Sequence, residues 1–211
     1  MGPLQGNISI TINPTRMIST FKKKPKAADT ITTWTLDPAH SEIAFKVKHL
    51  MITNVKGTFK DFGATVYIKG EENMTSEIDF WMNTASVDTN DEKRDEYLKG
   101  PEFFDAEKYK KVTFIGTSFE KTETDGYFIL HGVLTMKNVT KRIELAVVFD
   151  GKMNDPWGNE KVGYTINGKI NRKDWELNWK GIREGGGLLV SDEVRISCEV
   201  QLFNLKQVVN N

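Results

Sequence analysis

The sequence predicts an all-β protein, an eight-stranded antiparallel β-barrel with one short helix. Three observations predict it. Between residues 33 and 205, apolar residues recur at every second position in eight separate runs, the period of a half-buried strand. The runs are long. Glycines (Gly57, Gly116, Gly132, Gly168) fall on the apolar faces, where a tightly curved sheet needs bends. A two-sheet sandwich is the other way to pack eight one-faced strands, and the last two features favour the barrel.

The elements follow in order. Ile43, Phe45, Val47 and His49 line one face of the first run, with Glu42, Lys46 and Lys48 opposite. Val55, Gly57 and Phe59 begin the second, which continues to Ala64, Val66 and Ile68. The third carries Ile78, Phe80 and Met82 against Asp79 and Asn83. Val112, Phe114 and Gly116 form the fourth; Phe128, Leu130, Gly132 and Leu134 the fifth. Ile143, Leu145, Val147 and Phe149 follow, then Tyr164, Ile166 and Ile170, then Val194, Ile196, Cys198, Val200 and Leu202. Turn signals stand at Thr124-Asp125-Gly126, Asp150-Gly151 and Gly185-Gly186-Gly187.

Residues 91–99 break the pattern. They are charged and helix-prone, with Thr89 or Asn90 placed to cap and Asp91 and Glu92 suited to the positive end of a helix. The adjacent Phe103-Phe104 lies in the following loop, and two large aromatics there need burial, for which a barrel mouth is the natural place. An eight-stranded barrel is either filled by its own side chains or holds one small ligand. The pattern alone leaves both open.

Composition narrows the function. Lys+Arg and Asp+Glu number 29 each, so no strong global field for nucleic acid or an anionic membrane is expected. A single cysteine excludes an internal disulfide framework. No stretch approaches 18 consecutive apolar residues, so no transmembrane helix is expected. Residues 1–32 read as a basic leader: Arg16, Lys22, Lys23, Lys24 and Lys26 occur without an acid among them. It is either a solvated flexible segment or a weak anchor to anionic surfaces, and Met17 is an alternative start. Ile8, Ile10 and Ile12 alternate with polar residues, unlike a signal peptide. The expectation is a cytoplasmic protein, or a periplasmic one if the N-terminus is truncated or misassigned. Residues 33–205 form the barrel domain and 206–211 a frayed tail.

Catalytic signatures are missing. The sequence has no HExxH, Cys-x-x-Cys, GxSxG, phosphate loop or dinucleotide fingerprint. Cys198 on an apolar face reads as a small inert hydrophobe. No cofactor, metal or nucleic-acid partner is expected. An enzymatic reading would need His40, His49 or Asp174 to converge in a cavity.

Together the motifs resemble a known family. Trp34-x-Leu36-Asp37-x-x-His40-Ser41-x-Ile43-x-Phe45-x-Val47-x-His49 opens the domain, and Val55-x-Gly57-x-Phe59-x-x-Phe62 follows. Ser86-Val87-Asp88-Thr89, Arg94-Asp95-x-x-Leu98, Phe103-Phe104-Asp105, Val112-Thr113-Phe114 and Gly132-x-Leu134-Thr135 come next. Asn138-Val139-Thr140-Lys141, Gly163 and Ile170-Asn171-Arg172-x-Asp174 complete the series. In order and spacing this is similar to the YceI family of bacterial lipocalin-like proteins. After Arg172 the family often has Asp, an aromatic and Gly; here Asp174 and Trp175 match, but Glu176 replaces the glycine.

The resemblance implies a lipocalin-like, extended eight-stranded antiparallel β-barrel with a short helix beside it, and a tunnel for a polyisoprenoid, an isoprenoid quinone or a similar lipid, with a carrier, store or stress-related role. A fatty-acid or fatty-amide binder and an interaction module with a filled barrel are the alternatives. It also admits a homodimer. On the inward parity the expected walls are Phe45, Val47, Phe59, Phe80, Met82, Phe114, Leu130, Leu134, Ile166 and Ile170. Phe104 and Trp175 are expected to gate the mouth. Arg94 is a candidate for a phosphate end, although a structural network of Arg94 and Asp95 with the loop at Asp88 is the favoured reading. His49 is a second polar candidate.

Overall fold

A computed structural model of the chain describes residues 31–69, 76–178 and 190–205. Within them lie β1 (Ile31–Leu36), β2 (Glu42–His49), β3 (Thr53–Phe59), β4 (Phe62–Lys69), β5 (Ser76–Asn83), β6 (Val87–Asp88) and β7 (Lys111–Lys121). β8 (Tyr127–Met136), β9 (Val139–Asn154), β10 (Glu160–Asn171) and β11 (Val190–Asn204) complete the sheet, and α1 spans Glu92–Lys99. All pairings are antiparallel. β1 bonds to both β4 and β11, so β1, β4, β5 and β7 to β11 close a ring of eight. This is the expected lipocalin-like barrel.

Two staves of the ring are bent, which the alternation alone did not reveal. β2 continues β1 along the same neighbour, β11, and β3 continues β4. Between β1 and β2 sits the 3-10 turn Pro38–His40, capped by Asp37, whose carboxylate accepts from the Ala39 amide at 3.2 Å. The turn moves the inward positions from Trp34 and Leu36 to Ile43 and Phe45. Lys60 and Asp61 do the same between Phe59 and Phe62. β1 was absent from the eight runs read from the sequence because only Trp34 and Leu36 mark its apolar face. It begins at Ile31, two residues inside the stretch read as leader.

Other local expectations change as well. Asp150-Gly151 is no turn. It lies inside β9, where the register with β10 shifts between Gly163 and Tyr164 and Asp150 has no partner, a bulge. The hairpin turn comes later: Asp155 Oδ1 accepts the amides of Trp157 at 3.0 Å and Asn159 at 2.9 Å. Thr124–Gly126 does turn, with Tyr127 N donating to Thr124 O at 3.2 Å. The Gly185–Gly187 turn, the leader up to Thr30 and the tail from Lys206 lie outside the described residues. The cap of α1 is Asp91, neither Thr89 nor Asn90. Its carboxylate accepts the Arg94 amide at 3.0 Å, the geometry of a side chain reaching the third helical residue.

The helix has a place because β3 runs short of partners. β6 pairs only with Thr58 and Phe59, leaving the rest of that edge of β3 outside the ladder. The loop after α1 buries Phe103 and Phe104. Phe104 meets Phe59 edge-on at 5.8 Å and Phe103 at 5.0 Å between ring centroids.

Candidate functional site

The barrel is not filled. It encloses a cavity of about 1240 Å³, above the ~300–1,000 Å³ of ordinary small-molecule pockets. Every stave contributes inward side chains. β11 shows the shape: Val190, Val194, Ile196, Cys198, Val200, Leu202 and Asn204 all line the cavity, so it follows that strand from end to end. At ~3.3 Å per residue this is roughly 45 Å of wall, a tunnel rather than a pocket. Its middle is aliphatic and aromatic. The filled-barrel alternative therefore loses its premise.

Glycines keep the bore open. A Cβ on Gly132 would stand 2.2 Å from Phe114 Cζ and 2.6 Å from the Ile115 carbonyl. The large side chain of one strand thus fills the missing side chain of the next and lies along the wall.

Polar groups gather at the two ends. Where β7, β9 and β10 meet their hairpins, the lining carries Lys121, Lys152, Glu160 and Asn204, with Lys152 and Glu160 ion-paired. At the other end it carries His49, Thr89, Lys93, Arg94 and Arg172. Arg94 is largely committed there. Its Nε donates to Thr89 Oγ1 at 2.7 Å, one Nη to the Thr89 carbonyl at 2.8 Å, and the other Nη lies 3.8 Å from Asp91. Asp95 accepts both the amide and the hydroxyl of Thr89. This is the structural network favoured from the sequence, centred on Thr89 rather than Asp88, although Arg94 still borders the cavity.

The chain matches the model of the YceI-like domain over residues 34–202, four fifths of its length. It belongs to the YceI family. Protein YceI of Escherichia coli is 35% identical over 138 residues, 65% of this chain and 71% of that one. The solved YceI protein of Campylobacter jejuni is 33% identical with a TM-score of 0.62, covering 80% of this chain and 95% of its own. A polyisoprenoid binding domain from Saccharophagus degradans, 12% identical with a TM-score of 0.59 over 81% and 98% of the two chains, shares the fold.

In this YceI barrel, thirteen of the side chains singled out from the sequence line one cavity: Phe45, Val47, His49, Phe59, Phe80, Met82, Arg94, Phe104, Phe114, Leu130, Leu134, Ile166 and Ile170. Trp175 does not, so it gates nothing. It sits in the 3-10 turn Arg172–Trp175, is only 2% exposed, and donates its indole N–H to the Leu134 carbonyl at 3.1 Å. Burying an indole requires a partner for its N–H, and here the wall itself provides one. Beside it Arg172 was missed as a lining residue. Its guanidinium bonds Ser191 O, Leu177 O and Asp192 Oδ1 at 3.1, 2.6 and 2.7 Å, which ties the turn to β11. Phe119 was missed because a bulge after Gly116 reverses the parity of β7; it stacks on Phe128 at 4.6 Å.

The residues of the enzymatic alternative do not converge. His40 is exposed and held 2.9 Å from Asp37, and Asp174 is exposed on its turn, whereas His49 borders the tunnel. Cys198 faces the apolar bore, and burial pushes its thiol up to about 11, far from a nucleophile's range. Among the described residues no group of three or more His, Cys, Asp and Glu could hold a metal.

Proposed function

We propose that this protein binds a long apolar lipid, a polyisoprenoid or an isoprenoid quinone, along its barrel and serves as a carrier or store without catalysing a reaction. One observation carries the reading: a tunnel lined along the whole of β11 is apolar in its middle and polar only at its ends. A linear chain with one polar head matches that distribution. Each buried methylene contributes about 0.8 kcal/mol, so chain length alone supplies affinity, and few polar groups are needed to set direction. The Saccharophagus degradans domain of the same fold is described as polyisoprenoid-binding, which accords with this reading.

Native mass spectrometry of the freshly purified protein, with lipid analysis of its organic extract, tests it. A bound mass matching a prenyl chain or quinone is expected. A bare protein that also refuses added prenyl lipids would overturn it, and a bound fatty acid would shift the ligand class.

A further inference from the structure

The β2–β3 hairpin carries a combination that the tunnel does not use. Its turn places Leu50 at φ 52° and Met51 at φ 59°, with Ile52 N donating to His49 O at 3.0 Å. Two successive left-handed residues are the geometry in which Asn-Gly sits without strain. Here the chain holds two apolar side chains instead. Met51 is 62% and Ile52 77% exposed, so the strain maintains an apolar tip in water.

The surface behind that tip is cationic in an ordered way. The registers set Lys169 opposite Arg195, Arg195 opposite Lys46, and Lys46 opposite Lys56, so four cations lie in one row across β10, β11, β2 and β3. Like charges directly opposite destabilise a sheet. Glu193 compensates only one side of the row, bonding Arg195 at 3.1 Å and Lys169 at 3.4 Å. Among the described residues no ion pair engages Lys46, Lys48 or Lys56. A groove of about 290 Å³, lined by Lys46, Lys48, Arg195, Met51 and the acid Glu193, joins the row to the apolar tip.

We propose that this hairpin and its cationic row dock the protein onto an anionic lipid bilayer. Met51 and Ile52 enter the headgroup–acyl boundary, and Lys46, Lys48 and Lys56 face the phosphates. Charge complementarity selects this occupant: an apolar protein partner would not call for the unpaired lysines Lys46, Lys48 and Lys56, and each lysine held at an anionic surface is worth about fivefold in affinity. Trp157, exposed at the opposite end of the barrel, has no such row behind it: there Lys121 pairs with Asp125 and Lys152 with Glu160, and Glu123 and Asp150 are exposed. Docking also brings His49 and Val47, which line the tunnel, to the membrane.

The test is sedimentation of the full chain with phosphatidylcholine vesicles, with and without phosphatidylglycerol, at low and high salt. Binding that requires phosphatidylglycerol and weakens with salt is expected. Ile52→Asp should weaken it by about tenfold, and Lys46→Glu with Lys56→Glu by more. Circular dichroism and thermal melting show whether each variant folds. Trp157→Ser and a leader variant, Lys22→Ser with Lys23→Ser and Lys24→Ser, should bind as the parent does. No preference for phosphatidylglycerol, binding untouched by Ile52→Asp, or binding lost in the leader variant would each overturn the proposal. The readout needs no tunnel ligand, so its failure leaves the lipid-binding reading standing, and the reverse holds too.

Discussion

The ring of Phe45 occupies the space that a side chain at Gly57 would fill on the neighbouring strand. A Cβ there would stand 2.3 Å from Phe45 Cζ and 2.6 Å from its Cε1, with Thr89 Cγ2 at 2.8 Å. The two residues face each other directly across β2 and β3. The pair lets a large aromatic face the tunnel while taking little of its bore.

Gly57→Ala should therefore push the Phe45 ring into the lumen. The expected cost is about 1–3 kcal/mol of stability, as for other overpacked interiors, together with weaker uptake of a prenyl lipid. Thermal melting and a lipid titration measure the two effects. Adding Phe45→Leu to the same chain should relieve both.

Phe80 lines the cavity from β5, opposite Phe114 on β7, and is only half-buried. Phe80→Asp should retain the fold and lower lipid uptake by more than about tenfold, because a carboxylate in an apolar bore must be desolvated without a partner. Its outward neighbour provides the control: Asp79→Asn should leave uptake unchanged. Normal uptake by Phe80→Asp would place the ligand elsewhere.

Trp175→Phe keeps the ring but deletes the donor to Leu134 O. A loss of about 1–3 kcal/mol is expected from the deleted hydrogen bond and the space left by the smaller ring. Since Trp175 does not reach the tunnel, lipid affinity should not change. A parallel loss of affinity would restore the gating role that the sequence suggested.

Glu176 closes the Arg172–Trp175 turn at φ 59°, a left-handed position that favours glycine. Glu176→Gly should raise stability by about 1 kcal/mol, or roughly 2–4 °C in melting temperature for a chain of this size. Calorimetry decides it. Within the Arg172–Glu176 turn, Glu176 is the residue in the left-handed region.

Acid should act through Asp37. Burial pushes its carboxyl up, but hydrogen bonds from Lys161 at 3.1 Å and His40 at 2.9 Å outweigh that and hold it below the ordinary 3.8. A depressed carboxylate stabilises the fold fully above its unfolded value, and the gain is lost as pH falls through the lower folded value. The melting temperature should thus decline below about pH 3.8. Asp37→Asn should be less stable near neutrality and show a shallower acid decline.

The sequence by itself determined the class of fold and the inward face of most staves. Strand alternation is a local property, and the period of two needs no knowledge of the partner strand. It also determined which side chains reach a common lumen: thirteen of fourteen converge. Only the tertiary structure decided where parity reverses. The bends at Pro38–His40 and at Lys60–Asp61, and the bulges after Gly116 and at Asp150, depend on which strand lies alongside. Phe119 and Trp34 were therefore invisible as wall, and Asp150-Gly151 was indistinguishable from a turn. Trp175 was misplaced for the same reason. Its role is set by a carbonyl 41 residues away in sequence, a partner that only closure of the barrel brings near. Whether the barrel is hollow was likewise beyond local pattern, because cavity volume is a property of all eight staves together.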